Sequence, residues 1–201
     1  SPKFFRGKKP LHYLFNMRYD IFPTPFWHIE GAPQQLIDEL YQGAYRTKEK
    51  YPSENRSNEG GYQSPNIAWE EFHPQGKEYI YKAVGESFHE HLRNKYLNRY
   101  HPIESFSVQS WWYNISGKGH WNTPHTHTGS DFALVLYLTD SDGLLRLMSP
   151  HYMRMEENNK WINVNAKKGD IVIFPADLIH YVMPNTKETD RVCISMNLQL
   201  C

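Results

Sequence analysis

The part of the chain that follows Pro102 is divided into short β-like segments, and this pattern constrains the fold more than any other feature. Turn-forming Gly, Asp, Asn and Pro residues separate the apolar runs at short intervals. Such spacing is typical of a β-sandwich or a barrel. The predicted strands cover residues 104–115, 124–128, 132–139, 144–149, 161–166, 170–174, 178–183 and 190–199.

Two helices are predicted before this β region. Residues 33–46 have one apolar face, with Pro33 in the first turn, where proline is tolerated. Residues 76–97 repeat apolar side chains every four positions, as at Ile80 and Val84. This order predicts a mostly β fold with N-terminal helices, a jelly roll buttressed by helices.

Two other N-terminal segments are less regular. Residues 19–30 are aromatic and extended in character, but two prolines confine them to an edge or a broken strand. Residues 50–75 lack periodicity, and segments of this length are usually functional covers or disordered. The aromatic residues of this segment favour a cover.

The length of the chain fits a single domain, and its charge does not favour binding to polyanions. A chain of 201 residues is enough for one well-formed core and short for two. We expect a single domain over 1–201, with a tail at 1–18, helical support and the cover at 19–101, and the β core at 102–201. Basic and acidic residues number 22 each, so no overall field attracts nucleic acid or an anionic membrane.

Cysteine content and hydropathy indicate the compartment. Two cysteines are too few for a disulfide framework. No apolar run approaches the roughly 20 residues of a membrane span, and no signal segment opens the sequence. We therefore expect a cytoplasmic protein with no membrane partner.

Two histidines one residue apart, His125 and His127, precede an apolar run. Alternate residues of a strand project to the same side, so this pair can hold a metal ion at two points. A third ligand usually comes from elsewhere in the chain, and His180 in the motif FPADLIHYV is the best candidate. In a chain with 11 histidines, a chance pair and a core histidine are the alternatives.

The last predicted strand, RVCISMNLQL, carries polar residues on one face. Arg191, Cys193, Ser195 and Asn197 share that face, and apolar residues occupy the other. The arginine fork matches a carboxylate and stays charged, so Arg191 could hold a small acid beside the metal. Ser195 and Asn197 would line the same polar cavity and help to bind that acid. The alternative is a surface arginine at the start of a strand.

These motifs, in this order, resemble a known family. Tyr113 before HTH, then LYLTDSDGLLRLMSP, GDIVIFPADLIHYVMPN and finally Arg191 are similar to the double-stranded β-helix of Fe(II)- and 2-oxoglutarate-dependent oxygenases, including prolyl hydroxylases. IFPTPFW at 21–27, RSNEGGYQS at 56–64 and the terminal strand resemble a group of these oxygenases from bacteria and their phages. The resemblance runs from about residue 21 to residue 199.

The resemblance implies an enzyme that uses iron, 2-oxoglutarate and molecular oxygen. Its reaction would hydroxylate a protein side chain or a small molecule and release succinate and carbon dioxide. It implies that His125 and His180 hold the iron. It also implies that Arg191 binds the distal carboxylate of 2-oxoglutarate, assisted by Tyr137 and Tyr113, each of which could instead be a core aromatic.

The sequence departs from the family at one metal ligand. The usual set is two histidines and one carboxylate, but the common His-x-Asp/Glu pair appears here as His125-x-His127. Three neutral ligands would leave one more positive charge on the metal. Asp131 offers an alternative carboxylate if Gly129 and Ser130 bend sharply, but we prefer His127 because its position needs no such bend.

The cover at 50–75 is expected to close over the site and exclude water. Ser57, Asn58, Tyr62 and Gln63 are then candidate substrate contacts, and packing within the segment is the alternative role. The zero net charge disfavours nucleic acid as the substrate.

Two rival functions remain open. One is a cupin-like dioxygenase that uses three histidines without 2-oxoglutarate, in which Arg191 would bind the carboxylate of the substrate. The other is a non-catalytic β-sandwich binding module.

Overall fold

The computed structural model describes residues 24–92, 105–142, 144–151 and 160–201. The tail predicted at 1–18 lies outside the described residues. The described strands are β1 (Trp27–Ile29), β2 (Asn58–Glu59), β3 (Tyr62–Gln63), β4 (Phe106–Ser116), β5 (Trp121–His125), β6 (Phe132–Tyr137), β7 (Leu145–Met148), β8 (Trp161–Val164), β9 (Ile171–Pro175), β10 (His180–Val182) and β11 (Arg191–Leu200).

These strands form two antiparallel sheets. The six-stranded sheet has the order β1-β9-β6-β11-β4-β3, and the five-stranded sheet has the order β2-β5-β10-β7-β8. Consecutive strands of the chain often belong to different sheets, as in a jelly roll. The fold is therefore a double-stranded β-helix, as the strand pattern and the family resemblance together predicted.

Two helices pack against the six-stranded sheet. Helix α1 (Gln34–Lys50) buries the apolar face predicted for it, and helix α2 (Pro74–Leu92) buries Ile80, Val84 and Phe88. These side chains share one core with the outward-facing residues of β4, β6, β9 and β11. The other face of the sheet is thereby left to line the space between the sheets.

The predicted strands after residue 104 all occur, with one shift that affects the site. The strand predicted at 124–128 spans Trp121–His125, so it begins earlier and ends sooner. A turn at residues 128 and 129 follows, in which Gly129 adopts a φ of +88°. His127 therefore lies in the loop after β5 and not on the strand.

The segment at 50–75 is ordered, so the alternative of disorder is wrong. It adds β2 to the edge of the five-stranded sheet at β5 and β3 to the edge of the six-stranded sheet at β4. The β2–β3 connection at Gly60 and Gly61 thus joins the two sheets along one edge. The aromatic segment predicted near 19–30 contributes the short edge strand β1, which pairs with β9.

Candidate active site

Three histidines converge in the space between the sheets. His180 on β10 lies directly opposite His125 on β5, and their ring centroids are 4.2 Å apart. The ring of His127 lies 5.3 Å from that of His125 and 5.0 Å from that of His180. One ring nitrogen from each residue lies within 4.8 Å of the other two. A single ion can therefore contact all three.

Two of these rings are each held by the carbonyl group of the residue two positions earlier in the chain. The Nδ1 of His125 donates a hydrogen bond of 2.7 Å to the carbonyl of Thr123. The Nδ1 of His180 donates one of 2.8 Å to the carbonyl of Leu178. A carbonyl oxygen only accepts, so each proton is on Nδ1 and each lone pair on Nε2. Metal-binding histidines typically donate their second nitrogen in this way.

The third ring is held from the opposite sheet. The Nδ1 of His127 lies 2.7 Å from the side-chain oxygen of Asn197 on β11. Its backbone N–H donates to the carbonyl of Ala176, and its ring packs on Trp112 with 5.5 Å between centroids. His127 therefore presents Nε2 to the cluster, although no strand ladder holds it.

Burial keeps the cluster uncharged. It lowers the pKa of His125 and of His127 below the usual value of 6.5. It lowers the pKa of His180, together with repulsion from the other two rings, to about 3. Neutral imidazole is the form that binds a metal, so the donor set fits a transition metal at neutral pH.

These shifts predict that acid destabilises the metal-free protein. Between pH 6.5, the usual pKa of the unfolded histidine, and the lowered pKa of the folded state, only the unfolded chain binds the proton. The free energy of unfolding then falls by up to about 1.4 kcal/mol per histidine for each pH unit of acidification. Urea unfolding with chelator at pH 7, 6 and 5 measures this slope. The slope should be smaller for His180→Leu, and equal slopes would contradict the assignment.

Asp131 does not reach the cluster. Its carboxylate accepts hydrogen bonds from the side chain of Gln199 and, at 2.8 Å, from the backbone N–H of Leu200. The cluster of possible ligands found in the described part of the chain contains three histidines and no carboxylate. Of the two alternatives left open by the sequence, the geometry favours His127.

Arg191 lines the same cavity, which has a volume of about 440 Å³. The residue is 5% exposed, and its guanidinium donates to the hydroxyl of Ser116 at 3.0 Å and to the carbonyl of Met183 at 3.4 Å. It forms no ion pair with any carboxylate of the described residues. Burial lowers its pKa, but arginine remains charged in proteins. A buried cation without an anion is unfavourable, so the cavity suits an anionic ligand.

The predicted polar face of β11 lines this cavity as expected. Arg191, Cys193, Ser195 and Asn197 all contribute to the lining. Tyr137 faces the same space from β6, where it is the register partner of Cys193. Burial raises the pKa of the Tyr137 phenol, which therefore stays protonated and able to donate.

Tyr113 is not brought to the cavity, contrary to the expectation that it assists the acid. It lies on the opposite face of β4, with Trp111 and Ile115, in the core shared with the helices. Its hydroxyl faces Gly43 of α1, where an added Cβ would lie 2.7 Å from it. The residue of β4 that does face the cavity beside Ser195 is Asn114, which donates to the Ser195 hydroxyl at 3.0 Å.

The structure brings two of the four predicted substrate contacts to the cavity and leaves the other two away from it. Ser57 and Gln63 line the cavity, and the Ser57 hydroxyl lies 3.5 Å from the Nε2 of His125. Asn58 instead donates to the carbonyl of Gly61 within the β2–β3 connection. Tyr62 belongs to the core near α1, so Asn58 and Tyr62 do not reach the site.

Several cavity residues were missed by the sequence predictions. Arg56, Asn66, Trp112 and Asn122 all line the cavity. The alternation of β4 carried a usable signal, because Asn114 and Ser116 are polar whereas Tyr113 and Ile115 are apolar. Arg56 and Asn66, which lie on either side of β2 and β3, carried none, because their position depends on the pairing of these two strands with β5 and β4.

A comparison with protein families finds a match over the region that holds this site. Residues 110–197 match the family described as "Putative 2OG-Fe(II) oxygenase". The matched region is less than half of the chain, and it is what makes the chain similar to the 2OG-Fe(II) oxygenases. This oxygenase class uses iron and 2-oxoglutarate, and the three-histidine cluster and the buried arginine lie within the matched region. No curated protein matches the chain in sequence.

Solved structures share the fold of the chain at low identity. A prolyl-4-hydroxylase from Pseudomonas putida is 15% identical, with a TM-score of 0.61 over 88% of this chain and 92% of that one. A viral collagen prolyl hydroxylase from Paramecium Bursaria Chlorella virus-1, in complex with 2OG, is 14% identical, with a TM-score of 0.54 over 88% and 96%. HygX from Streptomyces hygroscopicus, with nickel and 2-oxoglutarate bound, is 12% identical, with a TM-score of 0.54 over 88% and 83%.

Neither helix in the part of the chain that the structure describes has a stretch both apolar enough and long enough to cross a lipid bilayer.

Proposed function

We propose that this protein is a 2OG-Fe(II) oxygenase that hydroxylates a peptide or a small molecule at an iron ion held by His125, His127 and His180. The observation that carries the proposal is the convergence of three Nε2 lone pairs in a cavity lined by Arg191, which has no carboxylate partner among the described residues. One part of the cavity offers lone pairs that can bind a metal cation. Another part offers the positive charge of Arg191, which can bind an acid.

The three histidines would hold iron through their Nε2 atoms. Each Nδ1 already donates to an oxygen, so binding a metal requires no change of tautomer. Iron bound there supplies the redox chemistry that couples the decarboxylation of 2-oxoglutarate to hydroxylation of the substrate, with succinate and carbon dioxide as products. The protein positions the reactants and excludes water.

Arg191 would bind the distal carboxylate of 2-oxoglutarate. Its fork can donate two parallel hydrogen bonds to a carboxylate, and the low exposure of the residue strengthens this attraction. Tyr137 would donate its phenol proton to the same ligand. Ser195 and Asn114, bonded to each other, offer further polar contacts along the cavity wall.

The charge of the cavity narrows the substrate class. Arg56 and Arg191 are the charged residues of the lining, and no aspartate, glutamate or lysine contributes to it among the described residues. A cationic group entering this cavity would be repelled and left without a counter-ion. We therefore expect the reacting part of the substrate to be neutral or anionic, as in a peptide segment without lysine or arginine.

Ser57 and Gln63 would contact that substrate. Gln63 is 6% exposed and lines the cavity, and a carboxamide can both donate to and accept from an amide or a hydroxyl. Gln63 lies on β3 and Ser57 directly precedes β2, so both residues belong to the segment that joins the two sheets. We propose that the whole site belongs to one domain.

Anaerobic titration tests this function. Fe²⁺ added to the protein together with 2-oxoglutarate is expected to give a weak visible charge-transfer band, because the keto acid chelates the metal. Succinate, which lacks the keto group, is the matched control and should give no band. A three-histidine dioxygenase that does not use 2-oxoglutarate would bind Fe²⁺ without the band, and a binding module would show neither effect.

A further inference from the structure

The anchoring of His127 differs from that of the other two histidines. His125 and His180 lie on paired strands, and each donates to a carbonyl two residues earlier in the chain. His127 lies in the loop after β5, and its ring nitrogen is held by Asn197, 70 residues away in the other sheet. The hydrogen bond that fixes the His127 ring nitrogen therefore comes from a side chain of β11, in addition to the packing of the ring on Trp112.

Asn197 is itself well fixed. It lies in the interior of β11, opposite Ser110 of β4 and Ala133 of β6. Its side-chain nitrogen donates to the hydroxyl of Ser110 at 3.3 Å, which turns its oxygen toward His127. The carboxamide thus bridges a rigid sheet and a loop residue.

This contact decides which nitrogen of His127 carries the proton. With the carboxamide oxygen as acceptor, the proton is on Nδ1 and the Nε2 lone pair faces the other two histidines. If the amide nitrogen faced the ring instead, Nδ1 would have to accept and Nε2 would carry the proton. In that state His127 could not bind a metal.

We propose that Asn197 is a positioning residue that holds His127 as the third, uncharged metal ligand. This inference rests on the proposed function, since it needs a metal at the histidine cluster. It replaces the expectation that Asn197 binds the acid co-substrate. Arg191, Tyr137 and Ser195 remain the residues proposed for that role.

Metal affinity of substituted proteins tests the proposal without any measurement of turnover. Asn197→Leu keeps the approximate size of the side chain and removes the acceptor, and it should weaken Co²⁺ binding by roughly 10- to 100-fold. Asn197→Asp keeps an acceptor and cannot donate when ionised, so its Co²⁺ affinity should stay within a few-fold of the wild type or increase. Competition with a chromophoric chelator measures both affinities.

Gln199→Leu is the matched control. It makes the same change from carboxamide to alkyl two residues further along β11, where the side chain contacts Gln109 and Asp131 and no histidine. Its Co²⁺ affinity should equal that of the wild type. Urea unfolding of the metal-free variants reports any general loss of structure, which a positioning role does not require.

Measurements in a His127→Ala background distinguish a positioning role of Asn197 from a general distortion of the site. In His127→Ala, the substitution Asn197→Leu should have no further effect on Co²⁺ affinity, because the residue that it positions is absent. An equal loss in both backgrounds would overturn the proposal, as would wild-type affinity in Asn197→Leu or failure of Asn197→Asp to retain binding. Absence of Co²⁺ binding by the wild type would instead contradict the metal site, and with it the proposed function.

Discussion

His180→Ala is expected to lose metal binding, with the dissociation constant for Co²⁺ or Fe²⁺ rising by roughly 100-fold or more. Even the loss of a residue that only orients a ligand typically costs 10- to 100-fold in metal affinity. His180 is the most buried of the three histidines at 4% exposure, and β10 holds it between β5 and β7. No carboxylate or thiolate of the described residues belongs to the cluster and could replace it. Chelator competition gives the dissociation constant.

His151→Ala serves as the control for this substitution. His151 is exposed and outside the histidine cluster, so its loss should leave the affinity unchanged. Circular dichroism of both metal-free variants should match that of the wild type, because His180 bonds only a carbonyl that can accept from water instead. An unaltered dissociation constant in His180→Ala would show that the metal binds elsewhere or not at all.

The strands could be predicted because their patterns are local. Alternation along 190–199 separated a polar face from an apolar one, and the structure places those faces toward the cavity and the helices respectively. The pairing of His180 with His125 could not be derived in the same way. It depends on the register of two strands 55 residues apart in the chain, which only the folded sheets fix.

The site predictions that differ from the structure also depend on contacts that only the folded sheets fix. The family resemblance and the phenol of Tyr113 predict a role beside the acid, but the alternation of β4 directs Tyr113 to the helices, as its polar neighbours at 114 and 116 indicate. His127 reaches the cluster without being on a strand, since Asn197 holds it from the other sheet. A contact between loop and sheet of this kind leaves no periodic trace in the sequence.

Arg191→Ala should weaken the binding of 2-oxoglutarate by two to three orders of magnitude while leaving Co²⁺ bound. Removing one partner of a buried charge pair costs about 3–5 kcal/mol, and each 1.4 kcal/mol is a factor of ten in affinity. Arg191 is 5% exposed and is the buried cation of the cavity lining, so no other described residue can take its place. Calorimetric titration of the Co²⁺-loaded protein with 2-oxoglutarate measures the loss.

Four companion variants separate the contribution of the guanidinium fork from that of charge or of a phenol. Arg191→Lys keeps the charge but not the paired donors and should bind with intermediate affinity. Arg56→Ala removes the exposed cation of the same cavity. Because water and salt screen the charge of Arg56, this substitution should change the affinity for 2-oxoglutarate only a few-fold. Tyr137→Phe should weaken binding and Tyr113→Phe should not, because only the first phenol faces the cavity. Wild-type affinity in Arg191→Ala would mean that the acid binds without this arginine, and the buried cation would then need another anion to explain it.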